Sequence, residues 1–264
     1  MPLKIYGYRK PSADFWAKVF EKDTSYKPDE YFLSIILEYI LGKKILDGGC
    51  GPGHLVAYLS SLGYDTIGID FSKTLIKRTK VPKNTALHVG DITHLPYKEN
   101  TFDSYISLGV FEHFEEGPQL PLTEANTVLK EGGTLIVTVP YYNLLRRLKR
   151  LFLARYHYLG QSDKKVFFEY AFTKKEITEY VEDAGFKVVK SVPISPLKTL
   201  ELEVVGMKAL SDILLRMRAH KKDNYCRKVS IRSNILLDLF EKFVRSEIFR
   251  HVFSHMILII AQKR

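Results

Sequence analysis

The sequence predicts an α/β protein built on a doubly wound, seven-stranded, mostly parallel sheet with helices on both faces. Two patterns carry this reading. Short runs that are apolar throughout, such as GTLIVTV and MILIIA, alternate with longer runs whose apolar residues recur at helical spacing. Strands without a polar face belong in parallel sheets covered from both sides. A third observation says where a ligand would sit. Directly after the first such strand comes DGGCGPG, with Gly48, Gly49, Gly51 and Gly53 falling within six positions. In open α/β sheets the crevice for a ligand opens at the carboxyl ends of the strands, and the first strand–helix turn is its usual edge.

The elements follow in order. Residues 1–42 read as an N-terminal helical segment, in which PDEYFLSIILEYILG has an acidic start, helical apolar spacing and Gly42 as its stop. KKILDGG is the first strand, and HLVAYLSSLG is the helix after it, closed by Gly63. DTIGID is the second strand, followed by SKTLIKRTK with Ser72 as its cap. ALHV and FDSYISL are the third and fourth strands, with a helical region ending near Lys130. GTLIVTV is the fifth. TKKEITEYVEDAG opens with a capping box at Thr173 and Glu176 and closes at Gly185. FKVVKSV and MILIIA complete the set.

Two stretches break the alternation, residues 141–172 and 194–254, and both read as basic helical insertions on the acceptor side of a single domain spanning 1–264. Residues 43–140 form the ligand-binding core. The charge supports this division. The chain carries +10 at neutral pH; residues 1–141 balance at −2 and residues 142–264 at +12. A surplus confined to one half suggests a partner surface there, an anionic membrane or RNA, as an alternative to a plain solvated face. Only Cys50 and Cys226 occur, too few for a disulfide framework or a metal-ligand pattern. No apolar run approaches a membrane span and no secretory pattern opens the chain, so a cytoplasmic, at most membrane-peripheral, location is expected. Nothing in the sequence sets the oligomeric state.

The glycine loop excludes two ligand classes. A dinucleotide fingerprint needs a third glycine where His54 stands, and a phosphate-cradling loop needs a Lys–Ser/Thr pair that does not follow. What remains is acid-x-Gly-x-Gly-x-Gly, from Asp47 to Gly53, suited to a ligand lying close to the backbone without a pyrophosphate.

With ILDGGCGPG, the acid Asp70 ending GID 23 residues after Asp47, GDITHLPYKENTFD, LGVFEHF and VLKEGGTLIVTVP in order, the chain resembles the class I S-adenosylmethionine-dependent methyltransferases, of the small-molecule, ubiquinone-biosynthesis-like branch. The resemblance implies their Rossmann-like fold and S-adenosylmethionine as cofactor, with S-adenosylhomocysteine as product. It assigns cofactor contacts to Asp47, Gly49, Cys50, Gly51, Gly53, Asp70, Phe71, Asp91, Ile92 and Leu108. Asp70 would accept both ribose hydroxyls, Asp91 the adenine amino group, and the Ile92 backbone a ring nitrogen. One ionised carboxylate suits a pair of vicinal hydroxyls. Plainer roles stand beside these: Asp70 as a helix cap, Asp91 as an Asx-turn former, Asp47 as a loop organiser, Phe71 as core.

A sulfonium methyl is already activated, so catalysis is chiefly alignment, with a general base for an oxygen or nitrogen acceptor. His113 in FEHF is the candidate base, and Tyr141 in VPYYN the candidate acceptor-side residue, with Tyr142 and Asn143 beside it. Quinone-biosynthesis relatives carry a further upstream acid for a metal ion; Gly109 stands there, so no metal is expected. VPYYN is neither the Asn-Pro-Pro-Tyr type of tetrapeptide used on base amino groups nor a Pro-Cys nucleophile. The expected activity is therefore methyl transfer to an O, N or C acceptor on a small or lipid-linked molecule. RNA methylation through the basic half, or a non-catalytic S-adenosylmethionine-binding module, are the alternatives. Within 143–155, Leu144, Leu145, Leu148, Leu151 and Phe152 fall on one helical face and Arg146, Arg147, Lys149 and Arg150 largely on the other, which suits a lid over the cofactor pocket whose charge favours acidic lipid headgroups or RNA, or an amphipathic helix docked on its own domain.

Overall fold

The computed structural model describes residues 2–7, 10–21, 30–78, 85–153, 166–195 and 246–264. Most of the 194–254 insertion and Cys226 lie outside them; so do residues 207–222, MKALSDILLRMRAHKK, whose sequence ends in a basic cluster. The elements are β1 (Leu3–Gly7), α1 (Ala13–Glu21), α2 (Glu30–Tyr39), β2 (Lys44–Gly48), α3 (His54–Ser61), β3 (Asp65–Asp70), α4 (Lys73–Arg78), β4 (Ala86–Val89), β5 (Phe102–Leu108), a short 3₁₀ turn (Phe111–His113), α5 (Gln119–Val128), β6 (Leu129–Pro140), α6 (Leu144–Leu153), β7 (Val166–Ala171), α7 (Lys174–Asp183), β8 (Phe186–Ile194), α8 (Glu247–Phe253) and β9 (Met256–Lys263).

Seven strands form one sheet in the order β4-β3-β2-β5-β6-β9-β8. They are the seven that the apolar runs predict. The pairs β2–β3, β2–β5, β3–β4 and β5–β6 are parallel. The chain leaves β2 for β3 and β4 on one side, then returns to lay β5 and β6 on the other. That reversal puts the switch point of the sheet beside the glycine loop. Ile45, Leu46, Ile69, Ile106, Ile136, Val137 and Ile257–Ala261 are wholly buried, as continuous apolar strands require.

The caps follow their chemistry. Ser72 Oγ accepts from the Leu75 nitrogen at 3.4 Å. Thr173 and Glu176 form the reciprocal capping box of α7, the Thr173 hydroxyl receiving the Glu176 N–H at 3.2 Å and the Glu176 carboxylate the Thr173 N–H at 2.9 Å.

Two features differ from the sequence reading. A second sheet pairs β1 with β7 antiparallel, from Leu3↔Ala171 to Gly7↔Val166. The segments read as purely helical, 1–42 and 141–172, each therefore hold a strand. Both strands are short, and their partners lie more than 150 residues apart. The contacts also divide the chain into two compact units. One comprises 1–140, 162–192 and 258–264; the other comprises 141–161 and 193–257. The second unit is made largely of the two stretches that break the strand–helix alternation.

Within the second unit, α6 departs from its pattern at three positions. Leu144 and Leu148 are exposed, whereas Arg146 is buried. The Arg146 guanidinium donates to the Tyr141 carbonyl at 3.3 Å and meets His255 Nδ1 at 2.9 Å. Arg146 therefore does not belong to a solvated basic face. Hydrogen-bonding partners for a guanidinium outweigh apolar periodicity at this position.

Candidate active site

The carboxyl ends of β2, β3, β4 and β5 converge on one cavity of about 240 Å³, far more than a single water needs. Each wall has a local cause. After β2, the Gly49 and Cys50 nitrogens both donate to the Ile69 carbonyl, at 2.8 and 3.1 Å, so the chain must turn at once. It does so through Gly49 at φ 77 and Gly51 at φ 52, a left-handed backbone that glycine adopts freely. A Cβ on Gly49 would collide with the Val110 side chain, so the glycine also permits close approach from the β5 side.

Asp70 closes β3. It is buried, and its carboxylate accepts from the Gly51 nitrogen at 2.9 Å and the Ser72 nitrogen at 2.8 Å. Burial pushes its pKa up, against those two bonds, which lower it. Phe71, next in the chain, stands 49% exposed at the lip. After β4, Asp91 forms an Asx turn, its Oδ1 accepting from the Thr93 nitrogen at 2.8 Å, while Ile92 is buried. After β5, Leu108, Gly109 and Val110 lead into the 3₁₀ turn that carries His113.

His113 is held from two sides. Its Nδ1 lies 2.8 Å from the Phe168 carbonyl, which requires the proton on Nδ1 and leaves Nε2 as the basic nitrogen. Its ring packs edge-on against Trp16 and Phe168, with centroids at 5.0 and 5.3 Å. Desolvation lowers its pKa, so the imidazole is neutral at pH 7. Behind it lies Glu112, 2% exposed, with Oε1 4.0 Å from His113 Nε2 and Oε2 lacking a partner. Burial, and then the nearby Glu169 charge, drive the Glu112 pKa well upward. Glu112, His113 and Glu169 bring one donor atom each within 4.8 Å of one another. The sequence shows only the Glu112–His113 pair, because Glu169 arrives on β7.

The cavity thus gathers Gly49, Gly51, Asp70, Phe71, Asp91, Ile92, Leu108 and His113. It does not gather every expected residue. Cys50 turns its thiol away, toward Gly68 in β3. Gly53 caps α3 at φ 70. Asp47 is buried behind the loop, its pKa raised to about 7 by desolvation and then by the Asp70 charge. Tyr141 is buried in the second unit, its nitrogen donating to the His255 carbonyl at 2.8 Å. Sequence reasoning missed the opposite wall: Pro11, Trp16 and Phe20 of the N-terminal segment, with Leu75 and Phe114. The signal was present in ADFWAKVFE, where the chain's only tryptophan and Phe20 lie one helical turn apart.

A family model described as a methyltransferase domain matches residues 46–137, the stretch from β2 through most of β6. Over those residues the chain matches the methyltransferase domain, and its sheet has the fold of class I methyltransferases. Among curated relatives, an uncharacterized protein of Methanocaldococcus jannaschii is 36% identical over 110 residues, 40% of this chain and 46% of that protein. A Mycolicibacterium smegmatis protein named as a probable S-adenosylmethionine-dependent methyltransferase is 25% identical over 149 residues, 56% of this chain and 53% of the relative. The chain thus spans about half the length of these relatives. Among solved structures, a chain from the complex between the Haloferax volcanii Trm112 methyltransferase activator and a methyltransferase superposes with a TM-score of 0.59 at 18% identity, covering 96% of each chain. At that identity the likeness speaks for the fold. No helix among the described residues is long and apolar enough to cross a membrane.

Proposed function

We propose that this methyltransferase uses S-adenosylmethionine to methylate an O, N or C acceptor on a small or lipid-linked molecule. The observation that carries the reading is the cavity at the switch point, where the Gly49–Gly51 backbone, the Asp70 carboxylate, the exposed Phe71 face and the Asp91–Ile92 turn meet along one wall. These groups fit the cofactor. A carboxylate has about four lone-pair directions, and two at Asp70 are taken, which leaves capacity for a pair of hydroxyls. Phe71 offers an exposed aromatic face for a base. The bound cofactor supplies an electrophilic methyl group on sulfur.

The chain's own part is to position and deprotonate. Trp16, Phe20, Val110 and Phe114 form an apolar wall that excludes water and suits an apolar acceptor. His113, locked in the Nδ1–H form by the Phe168 carbonyl, offers Nε2 to an acceptor O–H or N–H. The resulting imidazolium would sit 4.0 Å from Glu112.

Binding is tested with the chain's one tryptophan, since Trp16 lines the cavity: titration with S-adenosylhomocysteine should shift its fluorescence. The acceptor is sought by transfer of labelled methyl groups into lipid, RNA, protein and small-molecule fractions. A second reading, RNA methylation, is favoured by the +12 balance of residues 142–264, and label in the RNA fraction would establish it. Binding without transfer to any fraction would leave a cofactor-binding module.

A further inference from the structure

Helix α6 shows solvent two leucines from its apolar face. Leu144 and Leu148 are 46% and 42% exposed, Arg147 and Arg150 are exposed beside them, and Arg146 is 8% exposed. At about 100° per residue the two leucines lie about 40° apart, with Arg147 about 60° to one side of Leu144 and Arg150 beyond it. The stripe is narrow, apolar and edged with positive charge.

This orientation is built rather than accidental. Asn143 begins the helix, its Oδ1 accepting from the Arg146 nitrogen and its Nδ2 donating to the Ser254 carbonyl, both at 2.8 Å. The Arg146 side chain is tied to the Tyr141 carbonyl and to His255. Turning the helix to bury its leucines would strip a guanidinium of those partners inside the protein, a larger loss than two exposed side chains. The leucines are therefore held outward by the hydrogen bonds of Asn143 and Arg146.

We propose that α6 is an interfacial helix that lays Leu144 and Leu148 into the surface of an anionic membrane while Arg147 and Arg150 meet headgroup phosphates. Charge selects this occupant. The stripe lies in the half of the chain that balances at +12. A second copy of a chain carrying +10 would meet it with like charge. RNA would engage the arginines and planar side chains but has no use for paired leucines. The association would be peripheral, since no described helix can span a bilayer. It goes beyond the proposed function, because none of these four residues lines the cavity.

The full chain should cosediment with phosphatidylcholine vesicles containing phosphatidylglycerol at low salt, and far less with phosphatidylcholine alone. Arg147→Gln and Arg150→Gln should each weaken binding about fivefold and flatten its salt dependence. Leu144→Gln combined with Leu148→Gln should weaken it at least about tenfold at every salt concentration, with the melting temperature unchanged. The proposal is overturned if the wild type ignores anionic vesicles at low salt. Vesicle binding that survives the leucine pair overturns it as well, as does RNA binding or self-association in the absence of vesicle binding. Trp16 fluorescence titration with S-adenosylhomocysteine on the same proteins separates the two readings. Loss of that signal in the wild type would count against the proposed function and leave the vesicle result standing.

Discussion

The Asp70 carboxylate accepts a 2.9 Å hydrogen bond from the Gly51 nitrogen, so the acid ending β3 holds the glycine loop that follows β2. Its other oxygen accepts from Ser72 at the start of α4. The helix-capping role and the ligand role are thus compatible in one residue. Asp70→Ala should lower S-adenosylhomocysteine affinity by about 1.5–3 kcal/mol, the range for hydrogen bonds to a charged group, and should also lower the melting temperature. Asp70→Asn keeps one acceptor and should retain more stability than affinity. Calorimetry showing equal affinity for the wild type and both variants would remove Asp70 from the cofactor site.

Gly51 separates space from strain. A Cβ there would meet Phe20 only at 3.5 Å, an ordinary contact, but the backbone sits at φ 52. Gly51→Val should therefore lose stability before it loses ligand, by about 1–2 kcal/mol or more for a branched residue in the left-handed region. Gly51→Asn, which tolerates that region, should melt near the wild type. Thermal melts of the two variants check this; equal melting temperatures would refute it.

What the sequence made legible tracks the range of the interactions. The seven strands, the capping box at Thr173 and the loop from Gly48 to Gly53 are local, written in runs of a few residues, and all of them stand in the fold. The site walls from β2, β3, β4 and β5 were readable because each follows a strand end. Trp16, Phe20 and Glu169 were not, because α1 and β7 reach the cavity region only through tertiary packing and the pairing of β1 with β7. Position after a strand also says nothing of which unit a side chain enters: Tyr141 follows β6 and belongs to the second unit.

Asp47 gives the domain a pH dependence of known sign. Burial and Asp70 raise its pKa to about 7, against about 3.9 in an unfolded chain. A raised acid binds its proton more tightly when folded, so the stability it contributes is full below about pH 4 and is lost as pH rises toward 7. The apo protein should therefore melt lower at pH 8 than at pH 5, and Asp47→Asn should shrink the difference by roughly 2–4 kcal/mol. Melting curves at the two pH values read this directly. An unchanged difference in the variant would place the Asp47 charge in water.

His113 predicts the acid limb of turnover. Desolvation lowers its pKa, outweighing the Phe168 hydrogen bond that raises it, so the acid limb should fall below the ordinary imidazole value near 6.5. His113→Gln should cut kcat by about 10²–10⁴ and abolish that limb while leaving cofactor affinity nearly unchanged. A pH–rate profile of the wild type and variant decides it. A variant that keeps the same limb would assign it to another group.

Arg146 and Arg147 are neighbours in sequence with opposite fates in the fold. Arg146 is buried, with its guanidinium on the Tyr141 carbonyl and His255, while Arg147 is exposed. Removing the buried side chain takes the Arg146 donor from the buried Tyr141 carbonyl, and an unsatisfied buried group costs about 1–3 kcal/mol. Removing the exposed one should change stability by less than about 0.5 kcal/mol. Arg146→Met preserves length and should destabilise the unit formed by 141–161 and 193–257, whereas Arg147→Met should not. Urea unfolding followed by hydrogen exchange at α6 and α8 compares the two. Equal loss of protection in both variants would mean that α6 is not anchored through Arg146, and would also remove the reason its leucines face outward.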